Sequence, residues 1–196
     1  MRRTLLIIIA LLIPIVPFIV IGELPGEKWL SVSGDDALLF GLTGSALLAV
    51  DVLLPIPSSI VGTLLGARLG FLPGFLWIWG GLVLGNLVGY LVGWLLLSRL
   101  GRDLPEMPTL LILFISRPVP VLAEAVTFAA GAGRMSPGHF LVSCGVGNAI
   151  YALALAGNGA ALVPDNVLGL GLMLPMLLPV LAWSLWRWKT RRMTRD

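Results

Sequence analysis

The segment SRPVPVLAE, residues 116–124, places an arginine and a glutamate inside a sequence that is otherwise typical of a membrane protein. Pro118 and Pro120 stand between the two charges, and because proline breaks a helix, no continuous helix can carry both. A charge at bilayer depth costs roughly 2.5–3.5 kcal/mol and is retained where it lines a cavity or pairs internally. Irregular backbone at that depth is tolerated only where protein or water forms hydrogen bonds with its free N–H and C=O groups. The segment therefore predicts a functional site.

The composition predicts an integral membrane protein. Of the 196 residues, 58% are hydrophobic and only 12% are charged, whereas soluble domains average about 25% charged residues. The net charge of +3 is modest and gathers toward the chain ends. A nucleic-acid-binding domain would need a basic face instead. We therefore expect membrane lipids, and no nucleic acid, as partners.

No metal, cofactor or catalytic residue is expected. The single Cys144 lies in an apolar run, which excludes a disulfide framework and a cysteine metal site. The single His139 has no acidic or histidine neighbours, and metal sites need clustered ligands. The sequence contains neither a His-Asp-Ser set nor a Gly-rich phosphate loop. These features argue against an enzyme.

Apolar runs predict about four transmembrane helices. The first lies in residues 1–22, where a run of about 18 apolar residues is long enough to cross a bilayer. No small-residue cleavage site follows it, which argues against a signal peptide. Further spans are predicted at 75–97, at 140–155 and within 167–187, and a basic tail occupies 188–196.

Two other segments predict re-entrant helical hairpins, which enter the membrane and return to the same side. Residues 37–52 and 60–69 are each too short to cross comfortably, and Pro55 and Pro57 prevent their merger. Residues 109–132 repeat this pattern. With both termini in the cytoplasm, every cluster of positive charge falls on the cytoplasmic side, as the positive-inside rule requires.

The two halves of the membrane domain, residues 37–98 and 109–160, share an ordered frame. In each half a Pro-x-Pro motif precedes an apolar run, a glycine, a Pro-Gly pair and a helix with a Gly-Asn pair. The matched residues are Pro55 and Pro57 with Pro118 and Pro120, Gly70 with Gly133, and Asn86 with Asn148. Because the hairpins enter from opposite sides, the halves form an inverted repeat. Such repeats place a substrate site near the midplane, where discontinuous helices meet.

The embedded charges are the candidate transport residues. Asp51, Arg68, Arg117 and Glu124 have formal charges that sum to zero, as expected for groups that share a cavity. Arg117 precedes a proline, so it favours extended backbone, and its guanidinium suits bidentate binding of phosphate. The two acids would carry protons or balance the arginine. The competing interpretations are a snorkelling Arg68, a capping Asp51, and a purely structural Arg117–Glu124 pair.

Four neutral residues complete the candidate site. Ser58 and Ser59 follow the first Pro-x-Pro motif, and would either face the substrate or cap the half-helix that begins there. Asn86 and Asn148 would either contact the substrate or hydrogen-bond between helices.

These motifs resemble those of the DedA family, which shares the SNARE-associated, or VTT, domain. The resemblance covers residues 37–160 and rests on Asp51 with Pro55 and Pro57, on SRPVP at 116–120, and on AGAGRM at 130–135. It implies a bacterial inner-membrane protein with two opposed re-entrant hairpins. It also implies movement of phospholipid or undecaprenyl phosphate between leaflets, in some relatives dependent on the proton gradient. In this resemblance Asp51 matches the embedded acid and Arg117 matches the first arginine.

Two departures from the family pattern bear on function. Many members carry another acid where this chain has Ser58 and Ser59, and a second arginine near position 123, where Ala123 is followed by Glu124. A site with one arginine fewer and one carboxylate more should hold a phosphate dianion less well. The first prediction is a lipid translocase, with proton coupling left open. The alternatives are a proton- or ion-coupled transporter of small anions and a non-transporting membrane scaffold, and homo-oligomerisation also stays open.

Overall fold

The structure is a computed structural model that describes residues 2–31, 35–100 and 120–162, and every regular element among them is an α-helix. The helices are α1 (Arg2–Ile21), α2 (Gly26–Ser31), α3 (Ala37–Val50), α4 (Ser58–Leu69), α5 (Phe71–Leu97), α6 (Pro120–Ala132) and α7 (Pro137–Ala161). Three of them, α1, α5 and α7, are long and apolar enough to cross a membrane. The predicted all-α membrane class is confirmed at this level. The predictions for Arg117, Pro118, the helix within 167–187 and the tail at 188–196 lie outside the described residues.

Large apolar side chains cover the outer surface of the three long helices. Val20 of α1 is 76% exposed, Leu96 of α5 is 73% exposed and Val142 of α7 is 67% exposed. Apolar patches of this extent are rare on soluble monomers. They suit a surface that contacts lipid, which agrees with an integral membrane protein.

The break between α3 and α4 follows from local chemistry at its two sides. Asp36 caps the start of α3, where its Oδ1 accepts hydrogen bonds from the backbone N–H groups of Leu38 and Leu39 at 2.9 and 3.2 Å. The helix ends at Val50, and α4 begins at Ser58. The intervening residues 51–57 include two prolines, which lack the N–H group of the helical hydrogen bond and disfavour helix in the residue before them. The break therefore lies where the Pro-x-Pro motif predicts one.

A glycine separates α4 from α5. Gly70 has φ 82° and ψ 175°, a backbone conformation that is essentially restricted to glycine. It lets the chain end one helix and begin the next at Phe71, four residues before the predicted start of this span. The chain therefore turns here without an intervening loop.

Glycines of α5 bring α3 and α6 into backbone contact with it. A Cβ added at Gly81 or Gly85 would meet backbone atoms of α3, and one added at Gly93 would meet the carbonyl of Phe128 in α6. On the other side, α7 packs against both α4 and α5. The 51–57 break lies beside α5, α6 and α7, because residues of all three helices line a cavity together with Asp51.

Candidate functional site

A small inner cavity lies against the helix break. Its volume is about 40 Å³. Leu48, Val52, Leu82, Gly85 and Ala123 supply its apolar wall. Its polar lining comes from five parts of the fold: Asp51 of the break, Ser58 of α4, Asn86 of α5, Glu124 of α6, and Asn148 and Tyr151 of α7. The cavity therefore gathers polar groups that are far apart in the sequence.

A larger outer cavity of about 250 Å³ adjoins the break on the side of α1. Pro14 and Phe18 of α1 form an apolar part of its wall. Its polar part comes from Glu23, Asp51, Ser58, Ser59 and Glu124. Asp51, Ser58 and Glu124 line both cavities, so these three side chains lie at the boundary between them.

Asp51 occupies the end of α3, outside the three membrane-spanning helices. Its Oδ1 accepts a hydrogen bond from the backbone N–H of Ile56 at 3.2 Å, and the Ser58 side chain also hydrogen-bonds to it. Burial raises the pKa of Asp51 to about 7, because desolvation outweighs these two hydrogen bonds, and the negative charge of Glu23 acts in the same direction. An acid poised near neutrality is suited to binding and releasing a proton.

Ser58 connects the helix break to α7. Its side chain is buried, with 7% exposed, and it hydrogen-bonds to both Asp51 and Tyr151. Because one hydroxyl has a single hydrogen to donate, Ser58 can donate to the Asp51 carboxylate and accept from the Tyr151 hydroxyl. The three groups therefore form a hydrogen-bonded row along the inner cavity.

The two asparagines predicted from the Gly-Asn pairs both line the inner cavity. The Oδ1 of Asn86 lies 3.3 Å from Thr127 Oγ1. Asn148 is fully buried, and neither its Oδ1 nor its Nδ2 has a hydrogen-bond partner among the described residues. Leaving a buried polar group unpaired costs about 1–3 kcal/mol. Such a group in a cavity wall indicates a position where a ligand or a water would bind.

The structure brings together five of the predicted transport residues, and it places Ser59 and Arg68 apart from them, whereas Arg117 lies outside the described residues. Asp51, Ser58, Asn86, Glu124 and Asn148 surround the inner cavity, and Ser59 lines only the outer one. Arg68 lies elsewhere: its Nη2 is 3.8 Å from Asp35 Oδ1, and its guanidinium is 4.3 Å from the centre of the Phe40 ring. This placement is compatible with the snorkelling interpretation.

The described residues predicted to shape the hairpins lie at helix ends or in the connections between helices. Pro55 and Pro57 line the outer cavity, and Gly70 separates α4 from α5. Gly133 follows α6, where its N–H donates to the carbonyl of Ala129 at 2.8 Å. Pro120 begins α6.

Sequence reasoning missed Glu23 and Tyr151. Tyr151 follows Asn148 by three residues on one helix, so the two share a face, and this spacing could have identified it. Glu23 lies in the connection between α1 and α2, to which the sequence analysis assigned no role. A hydrogen bond from the Leu24 N–H to the Pro55 carbonyl, 2.9 Å long, links this connection to the break. That contact is long-range and left no signal in the sequence.

The charge of the cavities is negative within the described part of the chain. Glu23, Asp51 and Glu124 line them, and no lysine or arginine among residues 2–31, 35–100 and 120–162 does so. The same residues contain no group of three His, Cys, Asp or Glu side chains that could hold a metal ion. No family model, curated protein or solved structure matches this chain.

Proposed function

We propose that the protein is a lipid translocase of the DedA type in a bacterial inner membrane. It would move the phosphate head group of a phospholipid, or of a polyprenyl phosphate such as undecaprenyl phosphate, between leaflets. The observation that carries this proposal is the outer cavity of about 250 Å³, which combines polar groups at a helix break with an apolar wall from α1. A head group would occupy the polar part, while the hydrocarbon chain stays beside α1 in the lipid.

The start of α4 supports binding of an anion in this cavity. Its N-cap is Pro57, and no side chain caps the helix there. The first N–H groups of a helix have no partner within it and attract phosphate. Ser59 adds a hydroxyl donor at the same place, whereas the Ser58 hydroxyl hydrogen-bonds to Asp51. We propose that Arg117, which lies outside the described residues, supplies the positive charge that completes the phosphate site.

The carboxylates of the cavity oppose phosphate binding and thereby suggest proton coupling. Glu23, Asp51 and Glu124 line the same outer cavity and would repel an anion. Protonation of Asp51 removes one of these charges, and the raised pKa of this carboxyl makes protonation accessible near neutral pH. Proton binding and phosphate binding would then favour each other, because coupling between two ligands is reciprocal.

An inverted repeat of two re-entrant hairpins is the topology that we propose for this activity, with both termini in the cytoplasm. The packing supports it, since α4 packs on α7 of the second half and α6 packs on α5 of the first. Gly66 contacts Ala156. The offset between the two halves is 63 (118 − 55), so position 66 of the first half corresponds to position 129 of the second, and position 156 of the second half corresponds to position 93 of the first. Gly93 contacts Phe128, within one residue of that equivalent pair.

Reconstitution into liposomes tests the function directly. The purified chain should accelerate transbilayer exchange of a fluorescent phospholipid or of undecaprenyl phosphate above the rate in empty liposomes. Arg117→Ala should lower the rate about tenfold or more, because a hydrogen bond to a charged group contributes about 1.5–3 kcal/mol. Arg99→Ala, which changes an exposed arginine that lines neither cavity, is the matched control. No exchange above empty liposomes would exclude the function, and exchange unchanged by Arg117→Ala would exclude the site.

A second candidate is a proton- or ion-coupled transporter of small anions. The size of the outer cavity favours it, because about 250 Å³ accommodates a small anion as readily as a head group. This candidate predicts uptake of a labelled anion such as phosphate along an imposed pH gradient, with no lipid exchange in the same vesicles. Lipid exchange without anion uptake would exclude it.

A further inference from the structure

The inner cavity has the size and the ligand groups of an ion site. A cavity needs about 10–15 Å³ to hold one water, so a volume of about 40 Å³ has room for an ion with one or two waters. Oxygen-bearing side chains reach it from the break, from α4 and from α7, namely Asp51, Ser58 and Tyr151. Oxygen ligands are those preferred by hard cations.

Asn148 supplies an independent indication of a ligand. Its side chain is 0% exposed and lines the inner cavity. Its Oδ1 and its Nδ2 both lack a hydrogen-bond partner among the described residues. A cation bound beside Asp51 would coordinate the amide oxygen, and a water in the same cavity would accept from the amide nitrogen. A bound cation and water would therefore remove the free-energy cost of leaving the buried Asn148 amide without hydrogen-bond partners.

The charge of these ligands selects a monovalent cation. Protein sites for Ca²⁺ use six to eight oxygens, several of them carboxylates, whereas two carboxylates among the described residues, those of Asp51 and Glu124, line the inner cavity. Asp51 also caps the C-terminal end of α3, which is the negative pole of that helix. In discontinuous transport helices, such C-terminal ends coordinate Na⁺ or H⁺.

We propose that the inner cavity binds one small monovalent cation of the Na⁺ class, coordinated by the Asp51 carboxylate and by the side-chain oxygens of Ser58, Asn148 and Tyr151. The binding itself is independent of what the protein transports. Its role rests on the proposed function: a bound cation neutralises Asp51 and so favours a phosphate group in the adjoining outer cavity. Cation binding and phosphate binding would then be positively coupled.

Protons compete with the cation for the same carboxylate. The titratable groups that face Asp51 are Glu23 from the α1–α2 connection, Glu124 from α6 and Tyr151 from α7. A deprotonated Asp51 binds the cation and a protonated one does not. Asp51→Asn should therefore remove most of the Na⁺ binding, because it removes the charged ligand of the proposed site.

Binding of ²²Na⁺ to the purified full-length chain in detergent tests the site without any transport assay. At pH 8 and constant ionic strength, we expect saturable binding of about one Na⁺ per chain. NaCl should also raise the unfolding temperature more than choline chloride does, because a ligand that binds only the folded state stabilises it. Asp51→Asn and Asn148→Ala should each weaken Na⁺ binding at least tenfold. KCl and LiCl in place of NaCl establish the size preference.

Asn158→Ala is the matched control. Asn158 is a buried asparagine on the same helix, its Oδ1 also lacks a partner among the described residues, and it lines neither cavity. Asn158→Ala should retain Na⁺ binding. Ser58→Ala is a smaller change within the proposed site, and it should weaken Na⁺ binding while leaving the chain folded. Equal losses in Asn148→Ala and Asn158→Ala would overturn the site. A higher unfolding temperature at low pH, with no Na⁺ binding at any pH, would show that the cavity binds only a proton and would overturn the proposal.

Lipid exchange measured on the same preparation separates the two proposals. Saturable Na⁺ binding without lipid exchange would reject the translocase and leave the cation site in place. Lipid exchange with no Na⁺ binding to wild type would reject the cation site and leave the translocase.

Discussion

Replacing Gly66 by alanine should push α4 away from α7. The new Cβ would lie 2.6 Å from the carbonyl oxygen and 2.7 Å from the Cα of Ala156. Because ordinary contacts begin near 3.4 Å, the helices would have to separate by about 0.8 Å (3.4 − 2.6). The obstructing atoms belong to the backbone, so no side-chain rotation can relieve the contact.

The expected magnitude is a net loss of up to about 2 kcal/mol in the free energy of unfolding. Overpacking typically costs about 1–3 kcal/mol, and the higher helix propensity of alanine returns at most about 1 kcal/mol. Transport should fall as well, because Ser58 and Tyr151 lie on the two helices that separate. Unfolding in mixed micelles by titration with sodium dodecyl sulfate measures the free energy, and the liposome assay measures lipid exchange.

Gly145→Ala is the control for this prediction. Gly145 lies in α7, where an added Cβ meets no atom within 4 Å. The same substitution should therefore be neutral, or should stabilise the chain by up to about 1 kcal/mol through helix propensity. If Gly66→Ala were as stable as Gly145→Ala, the close approach of α4 and α7 would be wrong, and with it the geometry of both cavities.

Three further predictions concern single polar groups. Folding raises the pKa of Asp51 from 3.8 to about 7, so the folded state binds the proton more tightly and stability should fall as pH rises from about 4 to 7. Asp51→Asn should flatten this slope in unfolding measured across pH, and parallel profiles would contradict the shift. Tyr90→Phe removes the buried 2.6 Å hydrogen bond to the Met135 carbonyl and should cost about 1–3 kcal/mol in the same unfolding assay; a neutral result would mean that this bond does not form. Asp36→Ala removes the cap of α3 and should cost about 1 kcal/mol, whereas Asp36→Asn should retain most of it.

Local chemistry made the helices predictable. The apolar runs that form α1, α5 and α7 are continuous stretches long enough to cross a bilayer, so their class follows from composition and length alone. Pro55 and Pro57 both lack the N–H group that a helix needs and stand close together, and residues 51–57 are accordingly not helical. Boundaries were less accurate, since α7 extends from Pro137 to Ala161 and not only over 140–155. Helix ends depend on neighbours as well as on sequence.

The sequence by itself determined that Asp51 and Glu124 are costly groups in an apolar chain, because that cost depends only on residue type and on the hydrophobic surroundings. The tertiary structure decided which groups they meet. It brought Tyr151 and Asn148 to the Asp51 break, and it placed Arg68 beside Asp35 and Phe40. These associations depend on how α4, α5 and α7 pack through glycine contacts. Packing joins residues about a hundred positions apart, and no local periodicity records which of them will meet.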